Sequence, residues 1–309
     1  MTYNQETQDK SNKKPFFSVK QIFEDHWKEY LQAHHARAIE KEEVAKMLSC
    51  KGMERGCFVY YCRNCDKDVI IPFGCNSRLC SSCGKRHTDR WAETLSRRTF
   101  PGIIHRHLVF TIPEALWIYV KEDRNLQKVI MDASYAAVEE LFSGMKHQHL
   151  TPGVIAVLHP FGKDLRFKPH VHCIVTEGGF HAHQFVSIGQ YIHYDTIHKV
   201  WQYHLLTALR GRIPQEIIDW MFKKYPHGFC LYVKPERIHS NKRLAQYLGR
   251  YVRHPAINNS RIMGYNRESV TFFYRDHEKS IQYKTFSVHE FISAVIQHLP
   301  EKQFRLVRY

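Results

Sequence analysis

Two histidines separated by a single residue are the sharpest candidates for chemistry in this sequence. His170 and His172 lie in the segment KPHVHCIV, whose composition is typical of a β-strand. Side chains at positions i and i+2 of a strand point to the same face, so both imidazoles share one face while Val171 and Cys173 take the other. Two imidazoles about 7 Å apart along a strand can hold one divalent cation. A pair of surface histidines is the plainer alternative, because the chain contains 22 histidines.

A third ligand would have to come from a neighbouring strand. A Phe-Gly-Lys-Asp turn separates the strand of His170 from a β-branched segment at residues 154–158, which predicts an antiparallel hairpin. A turn centred near Asp164 would set His159 opposite His170, on the same face. His159 is therefore the first candidate for the third ligand, and His107, on an earlier predicted strand, is the second. A register slip of one residue would turn His159 away.

Two tyrosines four residues apart form the second constellation. Tyr247 and Tyr251 lie in a segment from Asn241 to Arg253 that is helical by pattern, so both phenols lie on one helix face. Six lysines and arginines and one acid lie between Lys234 and His254. Positive neighbours lower the pKa of a phenol and neutralise a phosphate that it attacks. The alternative is an ordinary amphipathic helix with two half-buried tyrosines.

Cysteines form a third cluster, with seven of the nine between Cys50 and Cys83. An odd, clustered set in a chain whose first residues lack the apolar stretch of a secretory signal argues against a disulfide framework. Cys62-x2-Cys65 is followed after fourteen residues by Cys80-x2-Cys83. Four thiolates at this spacing can surround one Zn²⁺ tetrahedrally, as in a zinc ribbon. Reduced structural thiols and a CxxC redox pair are the alternatives.

Four further side chains of this segment leave a second zinc ion open. Cys50, Cys57, Cys75 and His87 could bind it, although each thiol could equally be an ordinary buried side chain. The role of the metal is expected to be structural in either case. A segment of about 35 residues cannot bury enough surface to fold unaided, so the metal supplies the folding energy.

The elements that must position these side chains combine helices with hairpins and show no βαβ rhythm. Ser18 with Gln21 resembles a capping box at the start of the first helix. Apolar periodicity predicts helices near residues 18–31, 37–48, 88–98, 123–146, 194–210, 214–224, 241–253 and 287–298. It predicts strands near residues 105–112, 154–158, 170–176, 229–233, 270–274 and 282–286. The fold class is therefore expected to be α+β, with N-terminal helices plus a zinc-ribbon-like module before the sheet.

The charge of the chain favours a polyanionic partner. The sequence has 309 residues, with 45 lysines and arginines against 30 acids and a net charge of +15. Such a surplus draws a protein to nucleic acid first and to a membrane surface second. No apolar run approaches the ~18 residues of a membrane span, and 43% hydrophobic residues exclude disorder of the whole chain. The expected location is the cytosol.

The two-histidine site, the tyrosine pair and the zinc module together indicate nuclease or strand-transfer chemistry. Their ordered series resembles the HUH-class rolling-circle transposases of bacterial insertion sequences, in the two-tyrosine group with an N-terminal zinc-binding domain. The resemblance runs from about residue 20 almost to the end of the chain. The matching motifs are Asn76-x-Arg78-x-Cys80, Leu108-Val-Phe-Thr-Ile-Pro113, Leu158-His159-x-Phe161-Gly162, His170-Val-His172 with Gly178-Gly179, Tyr247-Leu-x-Arg250-Tyr251, Val270-Thr-Phe-x-Tyr274-Arg-Asp276 and Glu290-Phe291-Ile292.

Three features depart from the pattern of that family. Cys80-Ser-Ser-Cys83 stands where similar proteins usually carry Cys-Pro-x-Cys, and Lys168 stands where a histidine is frequent. The sequence stops at Tyr309, where relatives continue, which leaves a C-terminal truncation of the catalytic part as an open interpretation.

The resemblance implies an HUH nuclease domain, an antiparallel sheet flanked by helices, with His170 and His172 on a central strand. It implies Mg²⁺ or Mn²⁺ held by this pair and a third polar residue. Tyr247 or Tyr251 would attack single-stranded DNA, leaving a 5′-phosphotyrosine link and a free 3′-OH. The bond energy is conserved, so no nucleotide cofactor is expected, and a second tyrosine permits transfer to a target strand.

Basic side chains near the two motifs are expected to contact DNA phosphates, with a solvated helix face as the alternative. The candidates are Lys85, Arg86, Arg90, Arg97, Arg98, Lys242, Arg243, Arg250 and Arg253. The expected division is a disordered basic tail at 1–17, a helical and zinc-binding DNA-contact domain at 18–95, and the catalytic domain at 96–309. Two other functions stay open, a plasmid or phage replication initiator with the same nicking chemistry and a non-catalytic zinc-ribbon DNA-binding relic. A transposase of this kind is expected at the bacterial nucleoid.

Overall fold

The computed structural model describes residues 17–143, 149–188, 194–249, 255–276 and 278–308. Of the tail expected at residues 1–17, only Phe17 lies within these ranges. The fold is α+β, as the patterns predict. The helices of the described part are α1 Val19–Ala33, α2 Ala38–Leu48, α3 Ser81–Arg98, α4 Trp117–Glu122, α5 Leu126–Ser143, α6 Tyr194–Leu209, α7 Gln215–Lys224, α8 Asn241–Gly249 and α9 Val288–Ile296. The strands are β1 Cys57–Cys62, β2 Lys67–Pro72, β3 His105–Thr111, β4 Thr151–Phe161, β5 Phe167–His181, β6 Gln184–Ser187, β7 Leu231–Val233, β8 Ile262–Tyr265, β9 Ser269–Arg275, β10 Ile281–Ser287 and β11 Val307–Arg308.

A six-stranded antiparallel sheet carries the histidine strand at its centre. The order is β11-β4-β5-β3-β7, and β6 pairs with the end of β5. β4 and β5 form the predicted hairpin, and the pairing of His159 with His170 confirms its expected register. On the other side of β5, β3 sets His107 opposite Ile174. Direct partners of antiparallel strands point to the same face, so His107, His159, His170 and His172 share one face of the sheet.

The two faces of this sheet are covered to different extents. Helices α4 to α7 cover one face over a large apolar core, in which Phe110, Val171 and Trp201 are fully buried. Removing a buried aromatic ring such as Phe110 typically costs about 3–5 kcal/mol. Helices α3 and α8 cover part of the histidine face over a small core: Leu95, Ile155, Val157, Ile174, Ile238 and Leu244. The smaller apolar cover leaves the rest of the histidine face open for a polar site.

The N-terminal helices pack against the C-terminal part of the chain. The side chain of Ser18 accepts a hydrogen bond from the amide of Gln21 at 3.1 Å, which confirms the predicted cap. Phe23 of α1 is fully buried in one core with Phe272 of β9 and Phe291 of α9. This core therefore joins residues from both sides of the expected domain boundary at position 95.

The hairpin β1–β2 extends from the cysteine-rich segment with both faces largely exposed. Tyr60 is 56% exposed and Ile70 is 52% exposed. An isolated two-stranded hairpin is marginally stable in water, so it needs an anchor at its base. There the amide of Phe73 donates to the carbonyl of Gly56 at 3.0 Å, and the carbonyl of Phe73 accepts from the amide of Lys51 at 3.2 Å.

Some elements differ from the patterns in the sequence. Helix α3 begins at Ser81, directly after Cys80, whereas apolar periodicity indicates a start near residue 88. Helix α4 and strands β6, β8 and β11 have no clear signal in the sequence. They are short, and their partners in the fold determine them more than local propensity does.

Candidate active site and zinc site

Three histidines converge on the open part of the sheet. The ligand nitrogens of His159, His170 and His172 all lie within 4.8 Å of one another. Their ring centroids are 4.6 to 5.5 Å apart. The hairpin register produces this group, because it sets β4 against β5 with His159 and His170 as direct partners. Three imidazoles in such a group are a donor set for one divalent transition cation.

Hydrogen bonds orient two of these rings. Nδ1 of His170 lies 2.7 Å from the carbonyl oxygen of Lys168, so Nδ1–H donates and Nε2 keeps its lone pair. Nδ1 of His172 lies 2.8 Å from Nε2 of His107. Burial lowers the pKa of His170 to about 4 and the pKa of His172 well below its ordinary value. Both rings are therefore neutral at pH 7, the form that binds a metal.

Tyr247 of α8 reaches the same group through His107. The hydroxyl of Tyr247 is hydrogen-bonded to Nδ1 of His107, and their ring centroids are 5.0 Å apart. His107 is 1% exposed, and burial lowers its pKa to about 3, with a further contribution from the charge of Lys234. The ammonium group of Lys234 lies 5.1 Å from the centroid of the Tyr247 ring. Tyr251 lies outside the described residues.

A groove of about 1510 Å³ runs past the histidine cluster, with His159, His170 and His172 in its wall. Among the described residues that line it, the positively charged ones are Arg78, Lys163, Arg166, Lys168, Lys234, Arg261 and Arg275. The acids of the same lining are Glu114, Asp164 and Asp276. Asp164 is paired with Arg166 at 3.0 Å and with Lys284 at 3.4 Å. The groove has a positive balance, which suits the phosphates of a nucleic acid strand.

The sequence patterns did not assign these basic groove residues to DNA contact, although Arg78 and Arg275 lie in motifs of the family resemblance and Lys168 departs from its pattern. They come from segments between positions 78 and 275 and form no run of charge in the sequence. One signal was available, because Lys168 lies two residues before His170 and therefore shares its strand face. Tyr232 also lines the groove and is 54% exposed.

The basic residues expected to contact DNA lie on α3 and α8. Lys85, Arg86, Arg90 and Arg97 of α3 and Lys242 and Arg243 of α8 are exposed. Lys85 is paired with Asp89 at 2.6 Å and Arg97 with Glu93 at 2.7 Å. None of these six is among the described residues that line the groove. Arg250 and Arg253 lie outside the described residues, as does the side chain of Arg98.

Four cysteine thiols form a second group. The sulfurs of Cys50, Cys75, Cys80 and Cys83 lie within 4.8 Å of one another, and Cys50 is 3.7 Å from both Cys80 and Cys83. A tetrahedron with zinc–sulfur bonds of about 2.3 Å has edges of about 3.8 Å, so the spacing fits Zn²⁺. A side-chain hydrogen bond with Cys75 lowers the pKa of Cys80 to about 5, which favours its thiolate form. A Cβ on Gly74 would lie 2.8 Å from the sulfur of Cys83, so only glycine allows this close approach.

This grouping corrects the expected ligand sets. Cys80 and Cys83 join Cys50 and Cys75 and not Cys62 and Cys65. The latter two lie at the turn of the β1–β2 hairpin, and a strand of six residues spans about 20 Å, which separates the turn from the base. The second set proposed from the sequence is also divided, since Cys57 and His87 join no group of three or more candidate ligands within the described residues. One four-cysteine site therefore draws two ligands from each expected set.

Across the residues that the structure covers, no helix is both long enough and apolar enough to cross a membrane.

Known protein families match both parts of the chain. Residues 22–112 match the family described as "Transposase zinc-binding domain". Residues 153–309 match the family described as "Putative transposase". No solved structure matches the chain. The first family includes all four clustered cysteines, and the second includes the cluster histidines and the tyrosine helix.

Two relatives extend over most of the chain. It is 31% identical over 302 residues to "Transposase for insertion sequence element IS801" of Pseudomonas savastanoi pv. phaseolicola, covering 92% of this chain and 72% of that protein. It is 25% identical over 314 residues to "Putative transposase y4qJ" of Sinorhizobium fredii (strain NBRC 101917 / NGR234), covering 94% of this chain and 79% of that protein. The chain therefore belongs to the insertion-sequence transposase family that includes the IS801 protein, and it carries the zinc-binding domain of such transposases.

Proposed function

We propose that this transposase nicks single-stranded DNA through a tyrosine ester and transfers the strand in rolling-circle-type transposition. The observation that carries the proposal is the connection from Tyr247 through His107 to three histidines in the wall of a positively charged groove. Such chemistry requires a nucleophile close to a bound cation. Here a single imidazole separates the phenol from the cation donor set. Membership of a transposase family supports the same reaction class.

The proposed reaction is a displacement at phosphorus. The oxygen of Tyr247 or of Tyr251 forms a bond to the phosphorus, and the bond from phosphorus to the 3′ oxygen breaks. The products are a 5′-phosphotyrosine ester and a free 3′-OH. His159, His170 and His172 would hold Mg²⁺ or Mn²⁺, which would supply Lewis-acid polarisation of the non-bridging oxygens. Lys234 favours the ionised phenol of Tyr247, because its positive charge lies against the ring.

Two tyrosines allow two strands to be held at once. The ester conserves the energy of the broken bond, so a 3′-OH of the target can attack it without a nucleotide cofactor. We propose that one of Tyr247 and Tyr251 carries the donor strand and that the other permits a second covalent strand at the target.

The proposed substrate path is the groove. Exposed lysines such as Lys163 and Lys168 contact phosphates, and bases stack on the exposed ring of Tyr232. The zinc-binding part binds the flanking DNA through Lys85, Arg86 and Arg90 on α3. Chromosomal DNA as substrate implies action at the nucleoid in the cytoplasm.

A gel assay for covalent protein–DNA adducts tests this function. The probes are single-stranded oligonucleotides that tile the DNA flanking the gene, incubated with Mg²⁺ or Mn²⁺ and with EDTA. We expect metal-dependent adducts that disappear when Tyr247→Phe and Tyr251→Phe are combined. His170→Ala should keep the fold and lose nicking, and Tyr203→Phe on the exposed face of α6 is the matched control.

Adducts that persist in the double tyrosine variant would refute the tyrosine assignment. Binding of the oligonucleotides by the wild-type protein without any adduct would indicate the non-catalytic alternative. A replication initiator would instead rejoin its own nicked strand and leave the target strand unmodified.

A further inference from the structure

His107 lies between Tyr247 and the cluster of His159, His170 and His172, and it is hydrogen-bonded to both sides. Its Nδ1 is hydrogen-bonded to the hydroxyl of Tyr247, and its Nε2 lies 2.8 Å from Nδ1 of His172. Both ring nitrogens are therefore engaged. The sequence made His107 the second candidate for a metal ligand, but the three converging donors come from His159, His170 and His172. His107 is outside that group of donors and contacts it through His172.

The hydrogen-bond directions follow from the number of ring protons. A neutral imidazole carries one N–H and one lone pair. Nδ1 of His172 faces His107, so His172 has only Nε2 to offer to a cation. With the Nε2 lone pair on the cation, the ring proton of His172 must be on Nδ1, where it donates to Nε2 of His107. The single proton of a neutral His107 is then on Nδ1, where it faces the oxygen of Tyr247.

We propose that His107 is an activating residue of the tyrosine, which donates its Nδ1–H to the hydroxyl oxygen of Tyr247 whenever the cluster carries a cation. Without a cation, Nδ1 of His107 can accept a hydrogen bond from the hydroxyl of Tyr247, and Nε2–H of His107 can donate to Nδ1 of His172. Occupancy of the cation site thus sets the direction of both hydrogen bonds. The nucleophile is prepared only when the site that holds the phosphate is also filled.

The consequence for the reaction rests on the proposed function of Tyr247. A donor at the phenol oxygen stabilises its ionised form and fixes the direction of its lone pairs. The oxygen then forms its bond to phosphorus while the bond to the 3′ oxygen breaks. His107 does not take the phenol proton, because Nδ1 already carries one and Nε2 is occupied by His172. The phenol proton leaves to water, and the departing 3′ oxygen takes a proton from water, so the protons balance.

The fold holds His107 rigidly enough for this role. It lies on β3, which is hydrogen-bonded to β5 on one side and to β7 on the other. The side chain is 1% exposed, so water does not compete for either ring nitrogen. Lys234, whose amide donates to the carbonyl of His107 at 2.9 Å, brings its ammonium group to the Tyr247 ring.

Two substitutions separate the two hydrogen bonds of His107. The amide of asparagine imitates Nδ1 of histidine, and the longer amide of glutamine imitates Nε2. His107→Asn should keep a donor for Tyr247 and lose the contact with His172. At saturating Mn²⁺ its adduct rate should stay within about tenfold of wild type, while its Mn²⁺ affinity falls by about 10–100-fold. His107→Gln should show the reverse, with Mn²⁺ affinity retained and the adduct rate lowered by about 100-fold. His107→Leu should lose both.

A second readout does not depend on activity. With ¹⁵N-labelled histidine, the resonances of His107 are identified by their loss in His107→Asn, and the nitrogen shifts report which ring atom carries the proton. Addition of Mg²⁺, with Zn²⁺ in parallel, should leave Nδ1 protonated and Nε2 unprotonated. An unprotonated Nδ1 in the metal-bound protein would overturn the proposal, and so would equal adduct rates in the asparagine and glutamine variants. If the wild-type protein forms no adduct, the proposed function fails, and the spectrum still decides the direction of the hydrogen bonds.

Discussion

At the scale of residues, the candidate sites depend on side chains held in one protonation state. Burial lowers the pKa of His107 to about 3 and of His170 to about 4, so both stay neutral through the physiological range. Neutral imidazoles offer lone pairs without competition from protons. The zinc site also needs deprotonated ligands, here thiolates, and a hydrogen bond with Cys75 lowers the pKa of Cys80 to about 5. The hydrogen bond with Cys80, together with burial, raises the pKa of Cys75, so the thiolate form of Cys75 depends on a bound metal.

The cysteine grouping makes a prediction for single substitutions. Cys75→Ser should lose zinc and unfold the segment between α2 and α3, because a structural zinc site supplies much of the folding free energy of so small a module. The combined Cys62→Ser and Cys65→Ser variant should keep one zinc ion per chain, since those thiols lie at the hairpin turn. Metal analysis of the purified proteins distinguishes the two ligand sets. Substitution of the exposed Cys230 by serine is the control. Loss of zinc in the hairpin variant with retention in Cys75→Ser would restore the ligand set expected from the sequence.

At the scale of elements, helix α3 connects the zinc site to the tyrosine helix. Cys80 caps α3 and Cys83 lies in its first turn, so the helix starts within the thiol group. Its other end is connected to the start of α8, where the side-chain amide of Asn241 donates to the carbonyl of Thr99 at 2.8 Å. The two helices are antiparallel, and Leu95 and Leu244 are buried between them and the sheet. We therefore expect zinc at one end of α3 to stabilise α8, the helix that carries Tyr247.

A disulfide between the two helices tests this connection. The Cβ of Ala92 lies 3.6 Å from the position that a Cβ on Gly249 would occupy, which is within the range of disulfides. Ala92→Cys combined with Gly249→Cys should cross-link α3 to α8 under mild oxidation, as peptide mapping would show. Zinc chelation should then raise amide hydrogen exchange at residues 241–249 in the wild-type protein and much less in the cross-linked one.

The matched control is Gly249→Ala, in which the new methyl group makes only ordinary contacts at 3.5 and 3.6 Å. It should leave exchange and adduct formation unchanged. Equal exchange at residues 241–249 before and after chelation of the wild-type protein would show that zinc does not support the tyrosine helix.

At the scale of the whole molecule, the groove exists only when distant parts of the chain are assembled. Arg78 lies between Cys75 and Cys80 of the zinc site, Lys163 lies in the turn between β4 and β5, Lys168 lies at the start of β5, and Arg275 ends β9. The core that joins α1 to α9 holds the zinc-binding part against the C-terminal sheet. The net charge of +15 attracts DNA to the entire surface, and the groove concentrates positive charge beside the histidine cluster.

The salt dependence of DNA binding tests the groove as the strand path. Each phosphate contact to single-stranded DNA contributes about −0.7 to the slope of log K against log salt concentration. Lys163→Ala combined with Lys168→Ala should weaken binding of an oligothymidine and reduce the slope by about 1.4, as measured by fluorescence anisotropy. Lys223→Ala, exposed on α7 and absent from the groove lining, is the matched control. An unchanged slope in the double variant would place the strand elsewhere.

Local pattern predicted most of the sheet and one part of the site. The alternation of residues along β4 and β5 was enough to set His159 opposite His170, because a strand has a side-chain period of two and the turn between them is short. A different local signal, the capping pattern of Ser18 with Gln21, predicted the start of α1. Helix α3 was predicted too short, because its first two turns are polar and are stabilised by the cysteine group rather than by an apolar face.

Residue order alone established which side chains of this transposase could do chemistry: paired histidines on a strand, tyrosines on a basic helix and cysteines at metal-binding spacing. Tertiary structure alone decided which of these side chains meet. Cys50 and Cys75 replace Cys62 and Cys65 because the chain returns to the base of the β1–β2 hairpin, a geometry that ligand spacing does not encode. His107 meets both Tyr247 and His172 because β3 pairs beside β5 under α8, and contacts across 65 and 140 positions arise from packing that no local pattern contains.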